Sequence, residues 1–175
     1  MKTIIIILPA FLFTTFAASA QTPSADEIMT KAEATALTEH KAIFVHFEAS
    51  WCAYCKRLDD LLERPDVKPI FQTYFVTVKL VLMEHEENKA RENPGAGEWF
   101  VRLGGPDALP FHAFTDARGA LIVNCRRPTG RGPGKNIGYP DHPEEVEWFM
   151  QMIQKAAPQI SPNELAALET ALKTP

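Results

Sequence analysis

The stretch SWCAYCK, residues 50–56, decides the fold of this 175-residue chain. It follows the apolar run 42–47 and precedes a helix-like run over 57–63. Two cysteines separated by two residues at a strand-to-helix junction can form a reversible disulfide. The first N–H groups of a helix lack intrahelical acceptors and the macrodipole favours negative charge there, so a thiolate at Cys52 is stabilised. Because the thiolate is the reactive form of cysteine, this context predicts thiol chemistry.

Residues 1–20 have the pattern of a cleavable secretory signal peptide. Lys2 supplies the positive charge, residues 3–17 are apolar, and ASA at 18–20 is a small-residue cleavage site. The alternative is a membrane anchor, but the apolar run is short for a membrane span and Pro9 interrupts it. We therefore expect cleavage after Ala20, no stable membrane insertion afterwards, and a periplasmic or secreted protein.

Charge and length limit the function classes. The chain has 18 basic and 22 acidic residues, and loss of Lys2 with the signal peptide would leave a net charge of −5. That balance argues against non-specific nucleic-acid binding, which needs a basic surface. Residues 21–175 have a suitable length for a single domain. All three cysteines lie in that segment, so one remains after the motif pair.

Apolar spacing, capping residues and turn residues predict the order of elements. Helices are expected over about 25–39, after Cys52, over 66–71, 98–103, 143–156 and from about 161 to 173. Strands are expected over 42–48, 75–83, 109–115 and 120–124, the last two as a hairpin. A strand–helix–strand unit gives a parallel pair and the hairpin an antiparallel one. The class is therefore α/β, with a mixed sheet flanked by helices.

The chain resembles the thioredoxin superfamily, and most closely its exported bacterial members. The resemblance is carried by FEAS at 47–50, WCAYCK at 51–56 and LPF at 109–111, and it covers about residues 41–156. It implies a thioredoxin-like three-layer fold. Extra helices would lie at the N-terminus and, over about 161–173, at the C-terminus.

The same resemblance implies roles for the site residues. Cys52 matches the exposed attacking cysteine and Cys55 the more buried resolving cysteine. Pro110 matches the cis-proline that faces the disulfide, and a cis peptide bond is inexpensive only before proline. Leu109 and Pro110, together with Trp51, would bind an extended segment of the partner.

His46 departs from the family pattern. It lies six residues before Cys52, where many members bury a carboxylate that helps to move the proton of the resolving thiol. A histidine could serve as the proton relay near neutral pH. The alternative is a hydrogen-bonded core histidine. Glu48 and Asp59 are further acidic candidates near the motif.

Other uses of the two cysteines are less favoured. Structural zinc needs four Cys or His ligands, and no second close pair exists, while copper-delivering relatives space their cysteines by three residues. A purely structural disulfide that closes so short a loop would constrain the unfolded chain little. A binding module that has lost catalysis would not need to retain both cysteines.

Two features outside the motif remain open. Cys125 is either a small buried hydrophobe or an auxiliary thiol. The segment 126–140 is rich in Gly, Pro and basic residues and is expected to be an exposed loop near the partner-binding face. Its glycines lack the order of a phosphate-binding loop. Its basic residues are Arg126, Arg127, Arg131 and Lys135.

The sequence thus predicts an exported thiol–disulfide oxidoreductase that exchanges its Cys52–Cys55 dithiol with partner proteins. Its partners would be disulfide- or thiol-bearing exported proteins and a membrane-bound or soluble redox partner. No metal, nucleotide or flavin cofactor is implied. Tyr54 offers a hydroxyl where a histidine would offer a cation, which favours a reductase or isomerase direction. The alternative is a non-catalytic adaptor with a thioredoxin fold.

Overall fold

The computed structural model describes residues 21–106, 108–130 and 132–174, so the predicted signal peptide and Arg131 lie outside the described residues. The helices are α1 Ala25–Glu39, α2 Ala53–Leu62, α3 Lys68–Tyr74, α4 Ala96–Arg102, α5 Pro143–Ala156 and α6 Pro162–Lys173, with a 3₁₀ helix over Glu86–Arg91. The strands are β1 Ala42–Glu48, β2 Phe75–Val81, β3 Phe111–Thr115, β4 Leu121–Asn124, β5 Arg126–Arg127 and β6 Lys135–Asn136.

The main sheet has the strand order β2-β1-β3-β4. Strands β1 and β2 are parallel, whereas β3 pairs antiparallel with both β1 and β4. Strand β1 is central and buried on both faces, as its unbroken apolar sequence predicts. The predicted mixed sheet is confirmed, and its central strand leads directly to the motif cysteines.

Helices cover both faces of this sheet. On one face Phe44 contacts Phe71 of α3, and His112 contacts Phe149 of α5. On the other face Phe47 packs edge-on against Phe100 of α4 at a centroid distance of 5.3 Å. Helix α1 lies beside α4, and a hydrogen bond from Trp99 to Asp26 joins the two helices. The three-layer α/β architecture is therefore confirmed, with the additional C-terminal helix α6 packed beside α5.

Several expected bounds differ from the structure: for example, β3 begins at Phe111 and not at residue 109, and α3 spans Lys68–Tyr74 and not 66–71. Strand β2 ends at Val81 and not at residue 83, because Met83 has a positive φ of 58° that extended backbone does not allow. The segment 126–140, expected to be an exposed loop, contains the short β5–β6 ladder. Ile137 and Tyr139 in this segment are buried, since their side chains belong to the hydrophobic core.

Helix ends follow their capping residues. Ser24 caps α1 and Ser161 caps α6, each in a reciprocal pair with the glutamate three residues later. Glu164 of the second pair also accepts a hydrogen bond from Tyr74 at 2.8 Å, which ties α6 to α3. None of the helices within the described residues has the length and apolar character that a membrane crossing requires.

Candidate redox site

Cys52 and Cys55 form a disulfide at the start of α2. Cys52 is the N-cap residue of the helix, and its Sγ accepts a hydrogen bond from the Cys55 N–H at 3.1 Å. Both cysteines are largely buried in this oxidised state. The helix begins at Ala53, immediately after Cys52, so the position of Cys52 meets the requirement for thiolate stabilisation.

The Leu109–Pro110 peptide bond is cis and directly precedes β3. Leu109 packs against the small apolar cluster formed by Ala49, Cys52 and Cys55. The structure therefore brings together the motif cysteines and the Leu109–Pro110 segment, which are more than 50 residues apart in the sequence.

Two aromatic side chains beside the cysteines are exposed. Trp51 is 47% exposed and its ring lies tilted against His85 at a centroid distance of 5.7 Å, while Tyr54 is 51% exposed. Tyr54 lies near Tyr139, and the Arg57 guanidinium is 4.3 Å from the centroid of the Tyr139 ring. An open groove of about 350 Å³ runs from Tyr54 along Pro110. These side chains form an apolar surface around the disulfide of the kind that binding sites present.

His46 lies on β1 below α2 and is fully buried. Its Nδ1 is 3.3 Å from Asp59 Oδ1 and 3.5 Å from Glu48 Oε2, but neither ring nitrogen has a partner in hydrogen-bond geometry. The buried ring therefore lies with one nitrogen beside two carboxylates. Asp59 lies one helical turn after Cys55, so both residues share the face of α2 that points to His46.

Lys79 completes this cluster with two ion pairs. Its Nζ is 2.5 Å from Asp59 and 3.8 Å from Glu48. Burial acts to raise the pKa of Asp59, but His46 and the Lys79 ammonium outweigh it and lower that pKa to about 2. For Glu48 burial dominates, and the pKa is raised. The cluster thus contains one carboxylate that stays ionised and one that takes up a proton more readily.

The ligand atoms of His46, Glu48 and Asp59 lie within 4.8 Å of one another, close enough to hold a metal ion. The Lys79 ammonium already forms ion pairs with both carboxylates. A cation would have to displace it, which makes this donor set a poor fit for a metal.

His112 lies directly opposite His46 on β3 and is fully buried. It packs between Phe44 and the edge of Phe149, and both of its ring nitrogens lack hydrogen-bond partners. Burial, aided by the positive charge that His46 can carry, lowers the pKa of His112 to about 3. All five residues of β3 are buried, and the sequence carried no signal for the pairing of His112 with His46.

Cys125 follows β4 and is fully buried. Its Sγ accepts a hydrogen bond from the His112 N–H at 3.2 Å, and burial raises the pKa of this thiol to about 12. Its burial agrees with the interpretation as a small core side chain.

Two sets of residues at the site were not found from the sequence. Asn136 donates a hydrogen bond to the Pro110 carbonyl at 3.2 Å, and Gly138 lies against the same proline. Glu84 accepts hydrogen bonds from the Ser50 N–H at 2.7 Å and from the Ser50 hydroxyl at 2.6 Å. Each contact joins residues far apart in the chain, for which local patterns carry no signal.

The chain is similar to several solved structures. A disulphide isomerase from Xylella fastidiosa Temecula1 is 21% identical over 63% of this chain and 80% of that chain, with a TM-score of 0.49. A thioredoxin from Thermus thermophilus is 16% identical over 80% and 92%, with a TM-score of 0.44. The oxidised C-terminal domain of DsbD from Neisseria meningitidis is 15% identical over 76% and 99%, with a TM-score of 0.47. Likenesses of this strength carry no information about activity.

No curated protein matches this chain. The family described as thioredoxin-like matches residues 27–117, just over half of the chain. This segment contains both motif cysteines and the cis-proline. The chain therefore belongs to the thioredoxin-like family.

Proposed function

We propose that this protein is an exported thiol–disulfide oxidoreductase that acts on partner proteins. The observation that carries this proposal is the Cys52–Cys55 disulfide at the N-terminus of α2, packed against the residue that precedes a cis-proline. A stabilised thiolate and an adjacent apolar surface are what thiol exchange with a protein requires.

The reaction with a partner disulfide proceeds in two steps. The Cys52 thiolate attacks one partner sulfur, a mixed disulfide forms, and the other partner sulfur leaves as a thiolate that takes up a proton. Cys55 then loses its proton and attacks Cys52 Sγ, which releases the second partner thiolate. Two electrons pass from the Cys52–Cys55 dithiol to the partner, and the reverse steps insert a disulfide into the partner.

His46 is the proposed acceptor of the Cys55 proton. It lies on the sheet below the α2 face that carries Cys55, and the half-buried Asp59 and Glu48 connect it to solvent. Asp59 is ionised at neutral pH because its pKa is lowered to about 2, so it can stabilise a protonated imidazole. A buried thiol would in this way lose its proton without direct contact with water.

The partner would bind as an extended segment against Leu109 and Pro110. The exposed rings of Trp51 and Tyr54 flank this position and supply apolar contact area. The partner proteins would be exported proteins that carry disulfides or thiols, since residues 1–20 have the pattern of a signal peptide. A reductase or isomerase direction is proposed, with a membrane-bound or soluble redox partner that regenerates the dithiol.

Reduction of insulin in the presence of dithiothreitol tests this proposal. The wild-type protein should accelerate the reaction, and Cys52→Ser should reduce the rate to the background of dithiothreitol alone. Cys125→Ser is the matched control, because it removes the buried thiol outside the site and should retain the wild-type rate. Equal rates for wild type and Cys52→Ser would instead support a non-catalytic adaptor.

The direction of electron flow needs a second measurement. The reduction potential of the Cys52–Cys55 couple, titrated against glutathione, should lie at the reducing end of the thioredoxin-like range, about −270 to −180 mV. A value near −120 mV, which is typical of strong oxidants, would reverse the proposed direction.

A further inference from the structure

The residues directly before Cys52 are held by the segment that follows β2. Ser50 is itself exposed, yet its N–H and its hydroxyl both donate to the carboxylate of Glu84. Glu84 is only 6% exposed, so both oxygens of a nearly buried carboxylate accept hydrogen bonds from one residue of the motif loop, residues 49–52. Hydrogen bonds to an ionised acceptor are about twice as strong as those between neutral groups.

A third hydrogen bond holds the neighbouring residue. The Trp51 Nε1–H donates to the Met83 carbonyl at 2.7 Å. Met83 has a φ of 58°, the left-handed conformation that residues other than glycine adopt at a cost. Strained backbone of this kind persists only where surrounding contacts enforce it. Here the left-handed conformation occurs at Met83, the residue whose carbonyl accepts the hydrogen bond from the Trp51 ring.

The backbone of Glu84 is itself held by a hydrogen bond to Glu92. Its own N–H donates to Glu92 Oε1 at 2.8 Å, and Lys89 forms an ion pair with the same oxygen. Burial acts to raise the pKa of Glu84, but the two hydrogen bonds from Ser50, together with nearby positive charge such as that of Arg91, outweigh it, so the pKa is lowered and the group stays ionised. The anchor of the motif loop is therefore a rigid part of the fold.

We propose that Glu84 is a positioning residue for thiol exchange with proteins: through Ser50 it fixes the loop so that the exposed Trp51 ring and Cys52 form one binding surface for the partner chain. The inference rests on the proposed function and specifies how a protein disulfide is selected over a small one. A partner protein contacts the Trp51 ring as it reaches Cys52. A small disulfide reaches the sulfur without that surface.

The test compares two substrates for the reduced protein in single-turnover oxidation. Insulin serves as the protein disulfide and hydroxyethyl disulfide as the small one. For Glu84→Ala we expect the insulin concentration at half-saturation to rise about tenfold, as the loss of charge-assisted hydrogen bonds implies. The rate constant at saturating insulin and the rate with hydroxyethyl disulfide should stay within about twofold of wild type.

Three further variants distinguish a positioning role of Glu84 from a general loss of structure. Glu84→Gln should retain half-saturation near the wild-type value, because the amide oxygen accepts from the Ser50 N–H and the Ser50 hydroxyl can rotate to accept from the amide. Trp51→Phe keeps an aromatic ring but removes the bond to Met83, so it should weaken insulin binding alone. Glu87→Ala removes an equal charge from an exposed position in the same segment and should behave as wild type.

Each outcome supports or overturns the inference. A Glu84→Ala variant with wild-type half-saturation for insulin overturns it, as does an equal loss with both disulfides. If Glu84→Ala does not fold, Ser50→Ala decides, because it removes one of the two hydrogen bonds to Glu84, and unchanged insulin binding in that variant overturns the inference. A wild-type protein that reacts with neither disulfide would refute the proposed function, a result distinguishable from all of these.

Discussion

At the scale of single residues, His46 is a buried histidine on β1 that lies beside Asp59 of α2, the helix that begins at the motif cysteines. Its ring is fully buried, and two carboxylates and an ammonium group lie on its solvent side. A buried imidazole without a hydrogen-bond partner normally costs stability, since its polar atoms have lost water. His46 differs from His112 in that carboxylates lie beside one of its ring nitrogens, which is the geometry that the proposed proton relay requires.

We expect His46→Asn to slow resolution of the mixed disulfide about a hundredfold, the usual contribution of a positioned acid–base group. Attack by Cys52 on the partner should be little changed, so the mixed disulfide should accumulate. Rapid quench with gel separation, repeated from pH 5 to pH 9, measures both steps. His46→Asp restores the carboxylate found in many family members and should recover much of the rate with a different pH profile.

Resolution by His46→Asn at the wild-type rate across that pH range would contradict the relay. A uniform slowing of both steps would also contradict it, because that result would indicate distortion of the motif and not loss of a proton acceptor.

The residues of the motif could be read from the sequence because their spacing and their place after a strand are local properties. Cys52 and Cys55 are of this kind, whereas Pro110 precedes β3 and was identified only through the family resemblance. Glu84 and Asn136 are not, since each acts on a motif residue through a contact formed only in the folded chain. The position of His46 was evident, but its unsatisfied ring nitrogens were not, because hydrogen-bond geometry has no sequence signal.

At the scale of elements, the C-terminal helix α6 depends on its first turn. Ser161 accepts a hydrogen bond from the Glu164 N–H, and Glu164 accepts from the Ser161 N–H and hydroxyl. The same glutamate accepts a hydrogen bond from Tyr74. This capping box therefore orders the start of α6 and attaches it to the body of the protein.

Ser161→Ala should lower the free energy of unfolding by about 1 kcal/mol, the usual effect of removing an N-cap side chain. Urea denaturation followed by circular dichroism measures it. Insulin reduction should be unaffected, because α6 contributes no residue to the site. Ser161→Thr keeps a hydroxyl at the cap and is the matched control. Equal midpoints for the alanine variant and wild type would show that the cap does not contribute to stability.

Elements were predictable where they carry a cap or a sustained apolar period, as in α1, α5 and α6. Strand β2 was predicted two residues too long, since the apolar pattern continues past Val81 and only the left-handed Met83 interrupts it. The β5–β6 ladder was missed because two-residue strands are too short to show periodicity.

At the scale of the whole molecule, His112 makes the free energy of unfolding depend on pH. Its pKa is lowered to about 3 by burial and by its neighbour His46, whereas an unfolded histidine titrates near 6.5. Between these values the unfolded chain binds a proton that the folded chain excludes. Stability therefore falls as the pH decreases from about 6.5 to about 3, by at most about 1.4 kcal/mol per pH unit for this group.

His112→Phe should remove this contribution, because a phenyl ring fills the space between Phe44 and Phe149 without a titrating nitrogen. Urea midpoints for wild type and variant should converge or cross as the pH is raised from 4 to 7. Asp59 contributes a further loss below about pH 3.8, but equally in both proteins. Parallel pH dependences for the two proteins would show that His112 is not the group responsible.

The start of α2 has a consequence for the energetics of the whole fold. Cys52 occupies the N-cap position that serine or aspartate fills in other helices, so the charge on one sulfur contributes to the integrity of a helix. Folding and oxidation of the cysteine pair form a closed thermodynamic cycle. If the reduced protein is more stable to unfolding than the oxidised protein, the disulfide of the folded protein is a stronger oxidant than that of the unfolded chain, by the same free energy. The difference in unfolding free energy between the two redox forms therefore reports the direction in which this protein transfers electrons.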